Sequence, residues 1–315
     1  MSNSNLKKQL ITNVKRRELW QKFLYLDEGA NNYYSYALKK WHRIDYLSFF
    51  KKHFGWLDKP ILISLGCGNA WHDKEILEYY QQSNLKLLYF WVDTSQSMLE
   101  KARENLQPYE WDNINVELIH ADFMSDYFIN NLYTLVGKNE SKIFSFLGSS
   151  FCNINQTSIT DTLYNMLGDQ DSLWIDIPSR VQNEHNIQLK LFENYSSYLD
   201  NEKRIKFWFY PLKKLGVPIE NWKIILETST ENSVGSILFS YYFVFLKKTV
   251  VQYKGHVIHF LPDESIRLHS IRNYFPTQFK YFFWEHEFQL VDEDSVVVND
   301  WFKLSQYLFK TKHSR

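Results

Sequence analysis

Short apolar runs alternate with amphipathic stretches through the first half of the chain. Runs of strand length occupy residues 60–65, 86–92, 114–120, 142–147 and 173–177, the last ending at Pro178. Between them apolar residues recur at helical spacing, as in residues 156–167. This alternation predicts an α/β fold with a doubly wound, mostly parallel sheet. A final helix at residues 276–287 and a hairpin formed by residues 289–292 and 301–309 are expected to complete seven strands.

The pattern changes twice along the chain. Residues 6–55 predict helices with aromatic stripes, and residues 224–228, 236–246 and 250–260 predict neighbouring strands of an antiparallel insertion. We therefore predict four segments. They are an N-terminal helical segment that serves as substrate domain or lid (1–55), a cofactor-binding core (56–179), a substrate-domain insertion (180–270) and a C-terminal part of the core sheet (271–315).

A glycine turn follows the first apolar run and opens a helix. Gly66 and Gly68 permit a tight turn and let a ligand approach the backbone. Asp93 ends the second run, where such folds bind the hydroxyls of a ribose. The alternative role for Asp93 is a helix N-cap, unless Thr94 or Ser95 is the cap. Trp71 stands where a dinucleotide fingerprint requires its third glycine, so a pyrophosphate site is not expected.

The glycine turn and the acidic strand end together resemble motif I of class I S-adenosylmethionine-dependent methyltransferases. The resemblance implies that S-adenosylmethionine is the cofactor, that Asp122 accepts the adenine amine and that Phe123 covers the ring. For Asp122 the alternative is a loop carboxylate that caps the next helix. Asp73 and Lys74, at the start of the helix after the turn, are expected to be solvated. The predicted cofactor-binding residues are Gly66, Cys67, Gly68, Asp93, Thr94, Asp122, Phe123, Leu147 and Gly148.

A second resemblance is more specific. The pattern Phe-Leu-Gly-Ser-x-x-x-Asn that ends at Asn153 is similar to that of the histidine-specific methyltransferases of ergothioneine biosynthesis. Further short segments resemble that family in order, at residues 26–29, 175–177, 260–266 and 300–302. The resemblance implies that Asn153 holds the amino group of the substrate. The alternative is that Asn153 caps the helix beginning near Gln156.

The residues that would recognise histidine differ from the family pattern. The family holds the imidazole with a Glu and a Ser two residues apart, and these positions align with His269 and Ile271. The family's substrate-binding tyrosine is missing from its expected place, which leaves Tyr33, Tyr34 or Tyr46 as candidates. His269 is predicted to contact substrate, with proton acceptance or a structural role as alternatives. We therefore expect an acceptor other than histidine.

Composition removes several classes of function. The 315 residues carry a formal net charge of zero, so no global field attracts nucleic acid or an anionic membrane. The basic aromatic segment at residues 203–208 is an RNA-contact candidate, but a solvated amphipathic face explains it better. The two cysteines, Cys67 and Cys152, have no C-x-x-C partner, which argues against a zinc site and a disulfide framework. Without a signal-like or spanning segment the predicted location is cytoplasmic.

These features predict an S-adenosylmethionine-dependent N-methyltransferase that acts on the amine of a small molecule, an amino acid or derivative. The alternative is a catalytically inactive binding protein that keeps the fold. The expected partner is the small-molecule substrate, with no nucleic acid, membrane or metal, and the expected state is a monomer or weak homodimer.

Overall fold

The computed structural model describes residues 44–106, 113–137, 141–181, 187–202, 205, 208–209, 212–213, 217, 222–253 and 256–312. These residues divide into two compact units. The core unit contains the described residues up to 181, together with 230–237 and 272–312. The insertion unit contains the described residues of 187–229 and 238–271.

The core unit is built on a mixed sheet. Its parallel strands lie in the order β3-β2-β1-β4-β5, followed by β12, antiparallel to β5, and then β11, antiparallel to β12. This confirms the predicted fold class, a mostly parallel sheet closed by an antiparallel hairpin. The bounds are β1 (Ile61–Leu65), β2 (Leu87–Asp93), β3 (Ile114–His120), β4 (Lys142–Phe146), β5 (Ser172–Arg180), β11 (Phe288–Asn299) and β12 (Phe302–Thr311).

Helices cover both faces of this sheet. Successive residues of β5 alternate between the two cores, with Trp174 packed among one set of apolar residues and Ile175 among the other. Strands buried on both faces are typical of parallel sheets. The helices are α1 (Tyr46–Phe54), α2 (Lys74–Ser83), α3 (Gln96–Leu106), α4 (Asp126–Val136), α5 (Gln156–Met166) and, between β10 and β11, α7 (Pro276–Glu285).

The insertion unit contributes one described helix and several strands. Its helix α6 is Ile187–Ser196, and its strands are β6 (Trp222–Glu231), β7 (Ser236–Phe245), β8 (Thr249–Tyr253), β9 (His256–Phe260) and β10 (Ser265–Tyr274). The ends of β6, β7 and β10 extend into the core unit. β8 and β9 form an antiparallel pair from Thr249 opposite Phe260 to Tyr253 opposite His256.

Strand β10 was not among the strands expected from the sequence. The strand shows the period of two in its burial, because Ile266, Leu268 and Ser270 are buried while the intervening residues are less so. Arg267 and His269 occupy those intervening positions, so the segment lacks a continuous apolar run. The end of β10 returns to the core unit, where Tyr274 pairs in parallel with Ser179 of β5.

The predicted end of the fifth strand at Pro178 is wrong. β5 continues through Pro178 to Arg180, and Pro178 stands opposite Leu304 of β12. The register with β4 ends at Ile175, opposite Phe146. Further along β5, Ser179 pairs with Tyr274 of β10. A proline is tolerated where its missing N–H costs no ladder hydrogen bond.

In the part of the chain that the structure describes, no helix is long and apolar enough to cross a membrane.

Gly235 is predicted to be irreplaceable in the turn before β7. Its φ is +65°, and a Cβ there would lie 2.1 Å from Cβ of Gln278 in α7. Gly137 has a φ of +77° with no neighbouring atom within 4 Å, so it is a matched control. Gly137→Ala should cost about 1–2 kcal/mol of unfolding free energy from backbone strain alone. Gly235→Ala should cost about 1–3 kcal/mol more from overpacking.

Urea unfolding followed by tryptophan fluorescence measures both costs. Equal loss of stability in the two alanine variants would contradict the close packing of Gly235 against α7.

Candidate active site

The glycine turn follows β1 and is hydrogen-bonded to the end of β2. Gly66 and Gly68 have φ values of +67° and +57°, in the left-handed region that favours glycine. The amides of Gly66 and Cys67 donate to the carbonyl of Val92, at 2.8 and 3.3 Å. A Cβ on Gly66 would lie 3.2 Å from Cβ of Ser150, in the loop after β4. The turn therefore approaches the β4 loop closely and depends on glycine for its backbone.

Asp93 reinforces this turn from the end of β2. Its Oδ2 accepts the amide hydrogen of Gly68 at 2.9 Å, and its Oδ1 accepts that of Ser95 at 2.8 Å. Burial raises the pKa of Asp93, and these hydrogen bonds oppose the rise. The cap of α3 is Ser95, whose hydroxyl accepts from the amide of Met98 at 3.3 Å. The N-cap role considered for Asp93 therefore belongs to Ser95.

Asp93 retains capacity to bind a ligand. A carboxylate has about four acceptor positions, and backbone amides occupy two of them. The side chain is only partly buried, and the neighbouring Thr94 is exposed. The carbonyl of Thr94 accepts a hydrogen bond from Nε2 of His120, at 3.0 Å, which ties the β2 end to the β3 end. The remaining acceptor positions of this carboxylate suit a ligand that presents two adjacent hydroxyl groups.

The loop after β3 contributes one polar and one apolar residue. Oδ1 of Asp122 accepts from the amide of Met124 at 3.0 Å, which closes a local turn. The cap of α4 is Ser125, whose hydroxyl accepts from the amide of Phe128 at 3.2 Å. The capping role considered for Asp122 therefore falls to Ser125. Phe123 is nearly buried, and its Cε1 would lie 3.8 Å from a Cβ on Gly66.

The loop after β4 is fastened to both neighbouring strands. The hydroxyl of Ser150 donates to the carbonyls of Gly66, at 2.7 Å, and Leu147, at 3.0 Å. Asp176 of β5 accepts the amide hydrogens of Gly148, at 2.9 Å, and Ser149, at 2.8 Å. Gly148 and Ser149 both have positive φ values, +69° and 65°. These contacts bring the candidate residues Gly66, Leu147 and Gly148 to one edge of the sheet.

Asp176 also binds the first turn of α1, a link that the sequence did not predict. The hydroxyl of Tyr46 donates to Oδ2 of Asp176. Burial raises the pKa of Asp176 to about 6, and the hydrogen bonds from Tyr46, Ser149 and Gly148 oppose a larger rise. Burial and the nearby Asp176 carboxyl group raise the pKa of Tyr46 as well. Tyr46 was one of three candidate substrate tyrosines, and its hydroxyl is engaged here.

His72 completes this cluster. Its ring meets that of Tyr46 edge-on, with 5.4 Å between centroids. The ring also packs against Gly148, where a Cβ would lie 2.7 Å from two of its atoms. A side chain at position 148 would therefore displace His72. No sequence motif pointed to His72, because only the fold places residue 72 beside residue 148.

Asp73 is buried, so the expectation that it is solvated is wrong. The first turn of α2 faces the sheet, and the hydroxyl of Ser64 donates to Oδ2 of Asp73 at 3.2 Å. Burial raises its pKa to about 7, while the hydroxyls of Tyr89 and Ser64 oppose the rise. Lys74 is partly exposed, and its ammonium group lies 5.3 Å from the ring centroid of Trp71.

Asn153 ends a 3-10 turn, Ser150–Asn153, in the loop after β4. Its side chain is exposed, whereas Phe151 and Cys152 in the same turn are buried. The cap of α5 is Asn155, whose Oδ1 accepts the amide hydrogen of Ser158 at 3.0 Å. The capping alternative for Asn153 is therefore wrong, and its amide is not committed to a helix end.

The other predicted substrate residues belong to the insertion unit or lie outside the described residues. His269 lies on β10 in the insertion unit, where its ring is 6.0 Å from that of Trp208 and 6.3 Å from that of Tyr241. Tyr33 and Tyr34 lie outside the described residues. Among the residues that the structure does describe, no group of three or more His, Cys, Asp or Glu side chains is arranged to hold a metal ion.

Comparison with known families identifies the class of enzyme. A family model described as histidine-specific methyltransferase, SAM-dependent, matches residues 6–177, more than half of the chain. The chain belongs to this family. S-adenosylmethionine (SAM) is therefore the methyl donor, as the glycine turn and Asp93 predicted, and the enzyme is a SAM-dependent methyltransferase. A search of curated proteins found no match.

Solved structures with similar folds are distant in sequence. Magnesium protoporphyrin IX methyltransferase from Synechocystis PCC 6803 is 8% identical, over 86% of this chain and 83% of its own, with a TM-score of 0.42. A SAM-dependent methyltransferase from Leishmania major is 10% identical, over 93% and 82%, with a TM-score of 0.43. The glycopeptide N-methyltransferase MtfA is 9% identical, over 82% and 92%, with a TM-score of 0.38.

Asp93→Ala is expected to weaken SAM binding by at least about 100-fold. The substitution removes the candidate ribose acceptors and also releases the amide of Gly68, and each lost hydrogen bond to a charged group is worth about 1.5–3 kcal/mol. Calorimetric titration with SAM and S-adenosylhomocysteine measures the change. Glu100→Ala, at an exposed position on α3, is the control and should change affinity little. Unchanged affinity in Asp93→Ala would remove Asp93 from the cofactor site.

Asp73→Asn is expected to make the protein more stable than the wild type at pH 8, with a smaller gain at pH 5. The pKa of Asp73 rises from 3.8 to about 7 on folding, so the folded state binds this proton more tightly than the unfolded state. The free energy of unfolding of the wild type therefore falls as the pH rises from about 4 to about 7. Asn carries no such cost at any pH. Thermal unfolding midpoints at the two pH values measure the difference.

Asp292→Asn is the control of opposite sign. Partial burial raises the pKa of Asp292, but hydrogen bonds from Lys52 and His53 outweigh this and hold it below its usual range. That carboxylate stabilises the fold above about pH 4, so its loss should destabilise the protein at both pH 5 and pH 8. An Asp73→Asn gain of equal size at pH 5 and pH 8 would show that Asp73 does not titrate between these two pH values.

Proposed function

We propose that this enzyme transfers a methyl group from SAM to the amine of a small molecule, an amino acid or derivative other than histidine. The observation that carries the proposal is the placement of Asn153. It is exposed, it is free of helix capping, and it lies in a loop that Ser150 ties to the glycine turn through a 2.7 Å hydrogen bond to Gly66. The residue that would hold the acceptor amine is thus fixed to the turn that would hold the cofactor.

The residues around the turn have the chemistry that SAM requires. We assign the ribose hydroxyls to the free acceptor positions of Asp93, the adenine amine to Asp122 and the apolar cover of the ring to Phe123. The glycine turn lets the ligand approach the backbone without meeting a Cβ. When bound, SAM supplies an electrophilic methyl group on a cationic sulfur, and the protein supplies alignment and exclusion of water.

The acceptor amine needs orientation more than it needs a base. An α-amine has a pKa of about 8, so a useful fraction is neutral and nucleophilic near neutral pH. Its lone pair must face the methyl group while its hydrogens are held. The amide oxygen of Asn153 can accept one of those hydrogens without removing it. Tyr46 is not required as a base, since its hydroxyl donates to Asp176 and its pKa is raised.

The acceptor side chain is proposed to differ from imidazole. At the positions aligned with the family's imidazole-binding Glu and Ser, this chain has His269 and Ile271. Ile271 offers no polar atom, and a site that lacks a partner for a buried polar group of its ligand binds it poorly. Methyl transfer to histidine is accordingly the expected negative in a substrate panel.

Asn153→Ala is expected to lower methyl transfer by at least about 100-fold and to leave SAM affinity within about twofold of the wild type. The reason is that the amide would orient the acceptor and not the cofactor, and misplacement of the reacting atoms by about 1 Å costs about this much. The assay incubates the protein with SAM and a panel of amino acids and aromatic amines, and it follows S-adenosylhomocysteine formation.

Asn155→Ala is the matched control two residues away. Loss of the α5 cap should cost about 1 kcal/mol of stability and leave turnover unchanged. Retained turnover in Asn153→Ala would remove Asn153 from the acceptor site. Failure of the wild type to bind SAM in the calorimeter would instead favour a catalytically inactive protein that keeps the fold.

A further inference from the structure

Arg272 holds the backbone on both sides of Asn153. Its Nη1 donates to the carbonyl of Cys152, at 2.8 Å, and to the carbonyl of Ile154, at 3.2 Å. These are the residues immediately before and after Asn153. The 3-10 turn ends at Asn153, and a guanidinium has enough donors to bind one carbonyl within the turn and one just after it. The peptide groups that flank Asn153 are thereby fixed.

The guanidinium is itself anchored by a carboxylate. Nε of Arg272 donates to Oε2 of Glu231 at 2.7 Å, and Nη2 donates to Oε1 at 3.1 Å. Ser236 also donates to Oε2 of Glu231, at 2.8 Å. The Arg272 side chain is only 12% exposed. Burial lowers the pKa of Arg272, and the interaction with Glu231 more than compensates. A bidentate pair of this kind fixes the plane of the guanidinium as well as its position.

A second side chain holds the same turn from within. Nε2 of Gln156 donates to the carbonyl of Phe151 at 3.1 Å and to the hydroxyl of Tyr274 at 3.0 Å. Gln156 is buried, as is Tyr274, two residues after Arg272 in β10. The carbonyl of Phe151 therefore binds Gln156, which contacts Tyr274 of β10, while the next carbonyl binds Arg272 of β10. The exposed side chain of Asn153 belongs to a backbone that is hydrogen-bonded at the carbonyls of residues 151, 152 and 154.

We propose that Arg272, held by Glu231, is the positioning residue that orients Asn153 toward the acceptor amine. The proposal rests on the proposed function, since it assumes that Asn153 meets the acceptor. Arg272 itself touches neither acceptor nor cofactor and acts through the backbone of residues 152–154. A lysine cannot replace it, because a single ammonium group cannot keep a bidentate contact with Glu231 and reach both carbonyls.

The test compares Arg272→Lys and Arg272→Met with Arg103→Met, which removes an exposed arginine on α3. Hydrogen–deuterium exchange is followed in peptides covering residues 147–155 and residues 61–68. SAM affinity is measured by calorimetry, and kcat and KM are measured with the amine that the wild type methylates best. Glu231→Gln removes the anchoring charge and keeps the side-chain shape.

Both Arg272 variants should exchange at least about tenfold faster than the wild type in residues 147–155 and at the wild-type rate in residues 61–68. SAM affinity should stay within about twofold. The kcat/KM for the amine should fall about 10–100-fold, the cost of a misplaced orienting group. Glu231→Gln should also raise the exchange rate in residues 147–155 and lower kcat/KM, but by smaller factors than the Arg272 variants. Arg103→Met should change neither exchange, SAM affinity nor kcat/KM.

Two results would overturn the proposal. One is an Arg272 variant with wild-type exchange in residues 147–155 and wild-type kcat/KM. The other is a variant whose exchange rises equally in both peptides, which is the signature of a purely structural role. Failure of the proposed function is seen separately, as a wild-type protein that methylates no amine of the panel. In that case faster exchange confined to residues 147–155 would still support the restraint by Arg272, without its assigned role toward an acceptor.

Discussion

The hydrogen bonds to Asp176 are the constraint on which the candidate site depends. This carboxyl group is completely buried at the C-terminal part of β5, and it accepts from two consecutive amides, Gly148 and Ser149, and from the hydroxyl of Tyr46. A buried carboxylate without hydrogen-bond partners would destabilise the fold by several kcal/mol. Because any loss of these three donors is so unfavourable, they stay at the carboxyl group. Gly148 and Ser149, whose amides bind this carboxyl group, both have positive φ values. One carboxyl group thus sets the backbone of the β4 loop and fastens α1 to it.

The β4 loop is then held by groups of opposite charge at its two ends. At its start a carboxylate binds amide hydrogens, and at its end the Arg272 guanidinium binds carbonyl oxygens. Each charge matches the polarity of the backbone groups it meets. Between them, Ser150 links the loop to Gly66. The same loop therefore connects the residues assigned to the cofactor with the residue assigned to the acceptor, and the hydrogen bonds that hold it come from Asp176, Ser150 and Arg272, which have neither assignment.

The parts of this structure that sequence reasoning found are those encoded locally. The apolar runs predicted the bounds of β1, β2, β3 and β4 to within a residue or two. The glycine turn at Gly66 follows β1 directly, and the acidic residue Asp93 ends β2. The residues it missed act over long distances in the chain. Arg272 hydrogen-bonds to a residue 120 positions away, and Tyr46 hydrogen-bonds to one 130 positions away.

The burial of Asp73 was also missed. Its neighbours in the sequence are charged, which suggested exposure, but the packing of α2 against β1 and β2 buries it. The helix caps considered as alternative roles for Asp93, Asp122 and Asn153 lie two or three residues further on, at Ser95, Ser125 and Asn155.

The family match and the residues proposed to select the acceptor lie in different parts of the chain. The match ends at residue 177, within β5, and so covers the glycine turn, Asp93 and the β4 loop. His269, Ile271 and Arg272 all lie beyond it, on β10. Four consecutive positions of this strand, 269 to 272, hold the two residues on which the proposed change of acceptor rests and the arginine that binds the carbonyls beside Asn153. Under the proposed function, the chain would keep the scaffold that orients an amine while the groups that select what the amine is attached to differ.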